Sequence, residues 1–174
     1  SVGGIFVHEL HHSENLPRFA GWWGNDPATR FTMPEKFIPV KGADAWQLRN
    51  APVFSMAPLM VSLNIFAEAA MEKLTAKSRL LTGYLEFLIA EINKKYGAIH
   101  VLTPANENER GCQLSLVIKH NGKKVFQMLS ENGVVADWRE PDVIRVAPVP
   151  LYNSFEDVYH LGLNLKLSIE KSGV

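Results

Sequence analysis

Apolar and polar positions change rhythm along the chain, and the rhythm divides it. Residues 1 to about 54 carry no sustained period. They are irregular, rich in aromatics, proline and glycine, and hold Trp22, Trp23 and Trp46. Irregular stretches of that length inside a compact domain usually serve function or an interface. From Pro58 a helical period sets in: Leu59, Leu63, Phe66, Ala67 and Ala70 recur every three to four residues and predict a helix. A second helix is predicted from about Glu72 to Tyr96. Its apolar face is Leu80, Leu81, Tyr84, Leu85, Leu88 and Ile92, and Gly97 is its stop.

The period then falls to two. Ile99 and Val101 flank His100, and Leu114, Leu116 and Ile118 alternate with Gln113, Ser115 and Val117. Both stretches predict strands with one face buried. Asn121-Gly122 reads as a turn, and Lys123 to Asn132 as a short helix ended by Gly133. Val134 to Asp137 predicts a strand. Val143 to Ala147 predicts another, with Ile144 and Val146 on one face and Arg145 on the other. Ser154-Phe155-Glu156-Asp157 has the capping-box form and should open a final helix that buries Val158, Leu161, Leu165 and Ile169. The fold class is therefore α/β: short strands in one sheet, helices packed on it, and a long helix leading in.

Composition narrows the function classes. Lys+Arg and Asp+Glu are both 18, so the net charge is zero and there is no basic tract to displace counterions from nucleic acid or to meet an anionic membrane. No apolar run reaches the roughly 20 residues of a membrane-crossing helix. The single cysteine, Cys112, rules out an internal disulfide, suits the cytoplasm, and reads as a small buried residue at the start of a strand. Ser1-Val2-Gly3-Gly4 has no signal-peptide character, and it runs straight into Ile5-Phe6-Val7. That beginning reads as the middle of a domain, so a fragment of a longer protein is expected.

Four constellations carry candidate chemistry. His8-Glu9-Leu10-His11-His12 satisfies the H-E-x-x-H zinc pattern, which needs both histidines on one helical turn. The β-favouring Ile5-Phe6-Val7 before it, and Asn15 and Pro17 after it, leave little room for that helix. On an extended segment His8 and His12 stand ~13 Å apart, too far for one ion with ligand bonds of about 2 Å. No third ligand is evident, so no metal site is assigned. Gly21-Trp22-Trp23-Gly24 reads either as a cover for a flat aromatic ligand or as core or oligomer-interface tryptophans. Arg145, on a strand just before the stiff Pro148-Val149-Pro150 exit, reads as a carboxylate grip or as half of a structural ion pair. Asn50, in Arg49-Asn50-Ala51-Pro52, reads as a helix cap or as an amide donor to an anion. No serine or cysteine lies in a nucleophile motif, and there is no G-x-G-x-x-G or phosphate-binding P-loop.

Several strings, in order along the whole chain, resemble the C-terminal part of kynureninases. They are Phe6-Val7-His8-Glu9, Gly21-Trp22-Trp23-Gly24, Thr29-Arg30-Phe31, Asn50-Ala51-Pro52, Leu81-Thr82-Gly83-Tyr84-Leu85-Glu86, Glu109-Arg110-Gly111-Cys112-Gln113-Leu114, and the run from Arg145 to Ser154. The resemblance implies the C-terminal part of a type I fold for pyridoxal 5'-phosphate enzymes. Residues 1–71 would finish the large cofactor-binding domain, and residues 72–174 would form the small domain. It implies hydrolysis of L-kynurenine or 3-hydroxy-L-kynurenine to an anthranilate and L-alanine, in tryptophan breakdown or NAD synthesis. It also implies a homodimer with shared sites. Arg145 would grip the substrate α-carboxylate, Trp22 would contact the cofactor phosphate, and Asn50 would lie beside the phosphate and the aryl end of the substrate, Trp22 and Asn50 reaching into the partner subunit's site. The Schiff-base lysine would lie upstream, so no catalytic residue is assigned in this chain, and the chain alone should be inactive. Position 49 departs from the family by carrying arginine in place of a small hydroxyl residue, which leaves the ring preference open. The competing readings are another type I lyase of the cysteine desulfurase kind, a zinc hydrolase using His8 and His12, and a non-catalytic dimerising fragment.

Overall fold

The period-two stretches pair into one antiparallel sheet. In the computed structural model, which describes residues 2–173, β1 (Ile99–Val101), β2 (Leu114–Ile118), β4 (Val143–Val146) and β3 (Asp137–Arg139) lie in that order across it. Leu116 stands opposite both Val101 and Ile144, and Ile144 opposite Trp138. Alternation then sends Leu114, Leu116, Ile118, Ile144 and Val146 into the core and Ser115, Val117, Val143 and Arg145 to the opposite face. Three helices supply the rest of the core: α2 (Met71–Tyr96), α3 (Gly122–Glu131) and α4 (Phe155–Ser172). Leu81, Leu85, Ile89 and Ile92 of α2, Val125 and Leu129 of α3, and Val158, Leu165 and Ile169 of α4 share one cluster with the strands.

The helix ends follow from their residues. Gly97 and Gly133 take left-handed φ values of 57° and 79°, which glycine adopts without a Cβ clash, and each follows the last turn of its helix. The Ser154 hydroxyl accepts from Asp157 N at 3.1 Å, and the Asp157 carboxylate accepts from Ser154 N at 2.7 Å, a reciprocal box that opens α4.

Some expectations need correction. On α2, Leu80 is 63% exposed, while Thr82 and Ile89 are buried. The buried stripe runs Leu81, Leu85, Ile89, Ile92, and a neighbour one residue away is turned by about 100° from it. Thr82 tolerates burial because its hydroxyl donates to Ser78 O at 2.9 Å. On α4, Leu161 is half-buried and Gly162 is buried instead; a Cβ there would stand 2.7 Å from Leu88 Cδ1, so the glycine lets α2 and α4 approach. The strand expected at Val134 to Asp137 begins only at Asp137, because Val134 N is taken by Leu129 O at 3.0 Å in closing α3. Cys112 lies before β2 and is only half-buried.

Two compact units divide the chain, Ser1–Ile65 and Phe66–Val174. The division falls within α1 (Val53–Ala69), which starts earlier than its apolar period. Pro58 is accommodated inside it, and the first-turn amides of Ser55 and Met56 bond Pro52 O at 2.9 and 3.0 Å. No residue of α1 is buried. Ala70, at φ 63°, separates it from α2. Among the described residues, the first unit before α1 holds only short 3-10 turns at Glu9–His11, Arg30–Thr32 and Ala43–Trp46, and one isolated bridge between Asn25 and Pro39. Among the described residues, no single helix is long and apolar enough to cross a membrane.

Candidate active site

In the first unit, the two tryptophans sit where the chain passes over itself. A Cβ on Gly21 would stand 2.2 Å from Leu48 Cα, and one on Gly24 would stand 2.5 Å from Ala45 O. Only glycine at these two positions lets the backbone from Asp44 to Leu48 cross so closely. Beneath the crossing, Arg30 is buried with its guanidinium 4.7 Å from the Trp23 ring, and its Nη2 donates to Asn25 O at 3.1 Å. The Asn25 side-chain Oδ1 accepts in turn from Asp26 N and Ile38 N at 3.1 and 2.9 Å. Arg30 therefore holds the tryptophan loop, a role that its position in Thr29-Arg30-Phe31 did not signal.

Trp22 is half exposed. Its indole N–H donates to Arg30 O at 2.7 Å, and its ring meets the edge of Phe31 at 5.6 Å. The polar handle is thus committed within the unit, and the ring face is what remains for a ligand or another chain. Asn50 is exposed and does not cap α1, whose first amides turn to Pro52 O. Among the described residues its amide has no hydrogen-bond partner within the chain. With Arg49 beside it and the α1 N-terminus three residues on, it offers donors and positive potential suited to a phosphate. The donor set at Asn50 therefore fits the pyridoxal phosphate group; at Trp22, a phosphate contact through the N–H would have to replace the bond to Arg30 O.

The H-E-x-x-H segment forms no helical ligand pair. His8 is extended and its Nδ1 accepts from Leu10 N at 3.2 Å, His11 Nδ1 lies 2.9 Å from Glu14 Oε2, and His12 Nε2 lies 3.1 Å from Val7 O. Each ring turns to its own local partner.

Arg145 belongs to the second unit. It sits on β4 between Ser115 of β2 and Asp137 of β3, on the sheet face away from the core. Asp137 Oδ2 accepts from Arg145 Nε at 2.8 Å, closely from Arg145 Nη2, and from Arg139 Nε at 3.0 Å. The Arg145 hydrogen bond, aided by the charge of Arg139, holds the Asp137 carboxyl below the usual carboxylate range. The chain after β4 is pinned: Asn153 Oδ1 accepts from Val149 N at 2.9 Å, Asn153 N donates to Val149 O at 2.8 Å, and Ser154 then caps α4. The run from Arg145 to Ser154 is thus a stiff bridge from strand to helix. A second pair, Arg110 and Glu86, ties the segment before β2 to α2. Two guanidinium nitrogens meet two carboxylate oxygens, Arg110 Nη2 to Glu86 Oε2 at 2.6 Å, and Nη1 also reaches Pro104 O at 3.1 Å.

Asp137, missed in the sequence, had a signal. It lies eight residues before Arg145 across a tight connection, and antiparallel pairing of the two segments sets the pair side by side.

This architecture matches that of solved type I pyridoxal phosphate enzymes. A mutant of C-DES with glycine covalently linked to its pyridoxal phosphate cofactor superposes with a TM-score of 0.64 and 18% identity, over 92% of this chain and 40% of that one. The cystine C–S lyase C-DES in complex with its product cysteine persulfide gives 0.64 and 17% over the same shares. The fold is the C-terminal part of that class. Residues 74–165 match the model of the kynureninase C-terminal domain, and the chain belongs to that family. It is 53% identical to the kynureninase of Flavobacterium psychrophilum over 171 residues, 97% of this chain and 40% of the relative. It is 49% identical to that of Flavobacterium johnsoniae over the same shares. The chain spans about 40% of the length of these relatives.

Proposed function

We propose that this chain is the C-terminal part of a kynureninase that uses pyridoxal 5'-phosphate to hydrolyse L-kynurenine or 3-hydroxy-L-kynurenine to anthranilate or 3-hydroxyanthranilate and L-alanine. The observation that carries the reading is family membership together with Arg145 held, half exposed, at the sheet face away from the core. When bound, the cofactor supplies an electron sink for the bond changes at the amino-acid carbons. The chain's own residues bind and orient. Arg145 takes the substrate α-carboxylate with its planar fork. Asn50, with Arg49 beside it, donates to the cofactor phosphate and borders the aryl end of the substrate. Trp22 adds its ring face at the rim.

In this reading residues 1–71 finish the large domain, residues 72–174 form the small one, and the lysine that carries the cofactor lies upstream. The protein is a cytoplasmic homodimer in which Trp22 and Asn50 serve the partner subunit's site. The exposed rings of Phe6, Phe19 and Phe54 support that arrangement, since apolar surface of this kind is what other polypeptide covers.

The fold likeness to C-DES motivates a second reading, a lyase acting on cystine or cysteine. The full-length protein, supplied with pyridoxal phosphate, should release fluorescent anthranilate from L-kynurenine and leave L-cystine intact. Cleavage of L-cystine without anthranilate release would replace the first reading with the second.

A further inference from the structure

We infer that Asp137 is a positioning residue for Arg145: it holds one edge of the guanidinium so that the other edge faces an incoming carboxylate. This rests on the reading of Arg145 as the α-carboxylate grip.

A guanidinium carries five N–H donors and two edges that each match a carboxylate. Asp137 Oδ2 takes Nε at 2.8 Å and also Nη2, which is the side-on edge. The two hydrogens on Nη1 and the second on Nη2 are left, and one from each nitrogen points along the end-on edge. That edge presents two parallel donors, the spacing of two carboxylate oxygens. Asp137 is itself fixed: it is the register partner of Arg145 across the β3–β4 pair, and Arg139 Nε donates to the same oxygen at 3.0 Å. The long arginine stem therefore loses its rotamer freedom in the folded protein and not on ligand binding, which favours binding. The hydrogen bonds from Arg145 and Arg139 also favour the ionised form of the Asp137 carboxyl.

The opposite effect has to be weighed. A carboxylate beside the site repels a ligand carboxylate. Arg139 and Arg145 together outnumber Asp137, so the local charge stays positive, and Asp137 is about half exposed and screened by solvent. Positioning then outweighs repulsion, and the two effects carry opposite signs in the experiment.

In the full-length protein with pyridoxal phosphate, Asp137→Asn should raise KM for L-kynurenine roughly 10-fold, with kcat within about twofold. Inhibition by L-alanine, which carries the same α-carboxylate, should weaken in parallel. Inhibition by 2-aminoacetophenone, which keeps the aryl ketone and has no carboxylate, should not change. Asp137→Glu, which keeps the charge, should recover part of the loss, and Asp137→Ser answers the same question if the Asn variant does not fold. KM unchanged or lowered in Asp137→Asn, or equal weakening of L-alanine and 2-aminoacetophenone inhibition, would overturn the inference. Arg145→Lys separates the two claims: if it too leaves KM unchanged, the carboxylate reading of Arg145 fails; if it raises KM while Asp137→Asn does not, only the positioning role fails.

Discussion

In residues 66–173 the sheet and three helices gather sixteen hydrophobic residues into one buried cluster, whereas residues 2–65 bury a single hydrophobic side chain, Ala45. The first region is not short of apolar residues: Phe6, Phe19 and Phe54 are 86, 85 and 97% exposed. What differs is periodicity. Where apolar positions recur every two or every three to four residues, they share a face and close a core locally. Where they do not, the chain is held by particular polar contacts, such as Arg30 under Trp23 and Asn25 bridging to Ile38. Its larger apolar side chains stay exposed. α1 stands apart from both conditions: apolar residues recur along it at helical spacing but occupy its other sides as well, and none is buried.

The sharpest way to break this comparison is to cut side chains on each side of it. Leu85→Ala, at 0% exposure in the core, should cost roughly 2–5 kcal/mol of unfolding free energy. Phe54→Ser should change the stability of the isolated chain by about 0.5 kcal/mol or less. Denaturant titration of both variants checks the contrast, and similar losses at the two positions would remove it. The next effect is at the buried pair. Arg110 has a side chain only 6% exposed, and Glu86→Gln leaves its charge uncompensated. Because Glu86 is 31% exposed, solvent can partly replace it, and a loss of about 2–3 kcal/mol is expected by the same titration. Smaller again is the cap: Ser154→Ala should cost about 1 kcal/mol and lower Tm by a few degrees.

The weakest effect is acid sensitivity. Hydrogen bonds from the backbone and hydroxyl of Ser154 hold the Asp157 carboxyl below its ordinary value. A carboxylate whose folded pKa lies below its unfolded one stabilises fully above the unfolded value, near 4, and loses that contribution as pH falls through the folded value. Thermal melts between neutral pH and about pH 3 should therefore show falling stability in acid, with a shallower fall in Asp157→Asn.

Legibility in the sequence followed the same division. Leu114-Ser115-Leu116-Val117-Ile118, the facing of Ile144 and Arg145, the stops at Gly97 and Gly133 and the Ser154 box were all readable, because each rests on local sterics or on a period the core enforces. The face of α2 was read partly amiss because Leu80 is apolar yet solvent-facing, while Thr82 is polar yet satisfied within its own turn. β3 was displaced because Val134 closes α3 before the strand begins. Of the candidate site, Trp22, Asn50 and Arg145 were singled out from composition and neighbours. Their supports were not: Arg30 gains its role where the backbone crosses at Gly21 and Gly24, and Asp137 gains its role from a strand register that its eight-residue spacing to Arg145 signals only once β3 is placed at Asp137.

The most direct test of the functional account is anthranilate release from L-kynurenine by the full-length protein with pyridoxal phosphate, compared with its Arg145→Ala variant. The account predicts steady release by the unaltered protein, and a fall in kcat/KM on the order of 100-fold in the variant, the cost of losing a bidentate charged pair, with Tm and cofactor absorbance unchanged. Release that stays within a few-fold in the variant would contradict it.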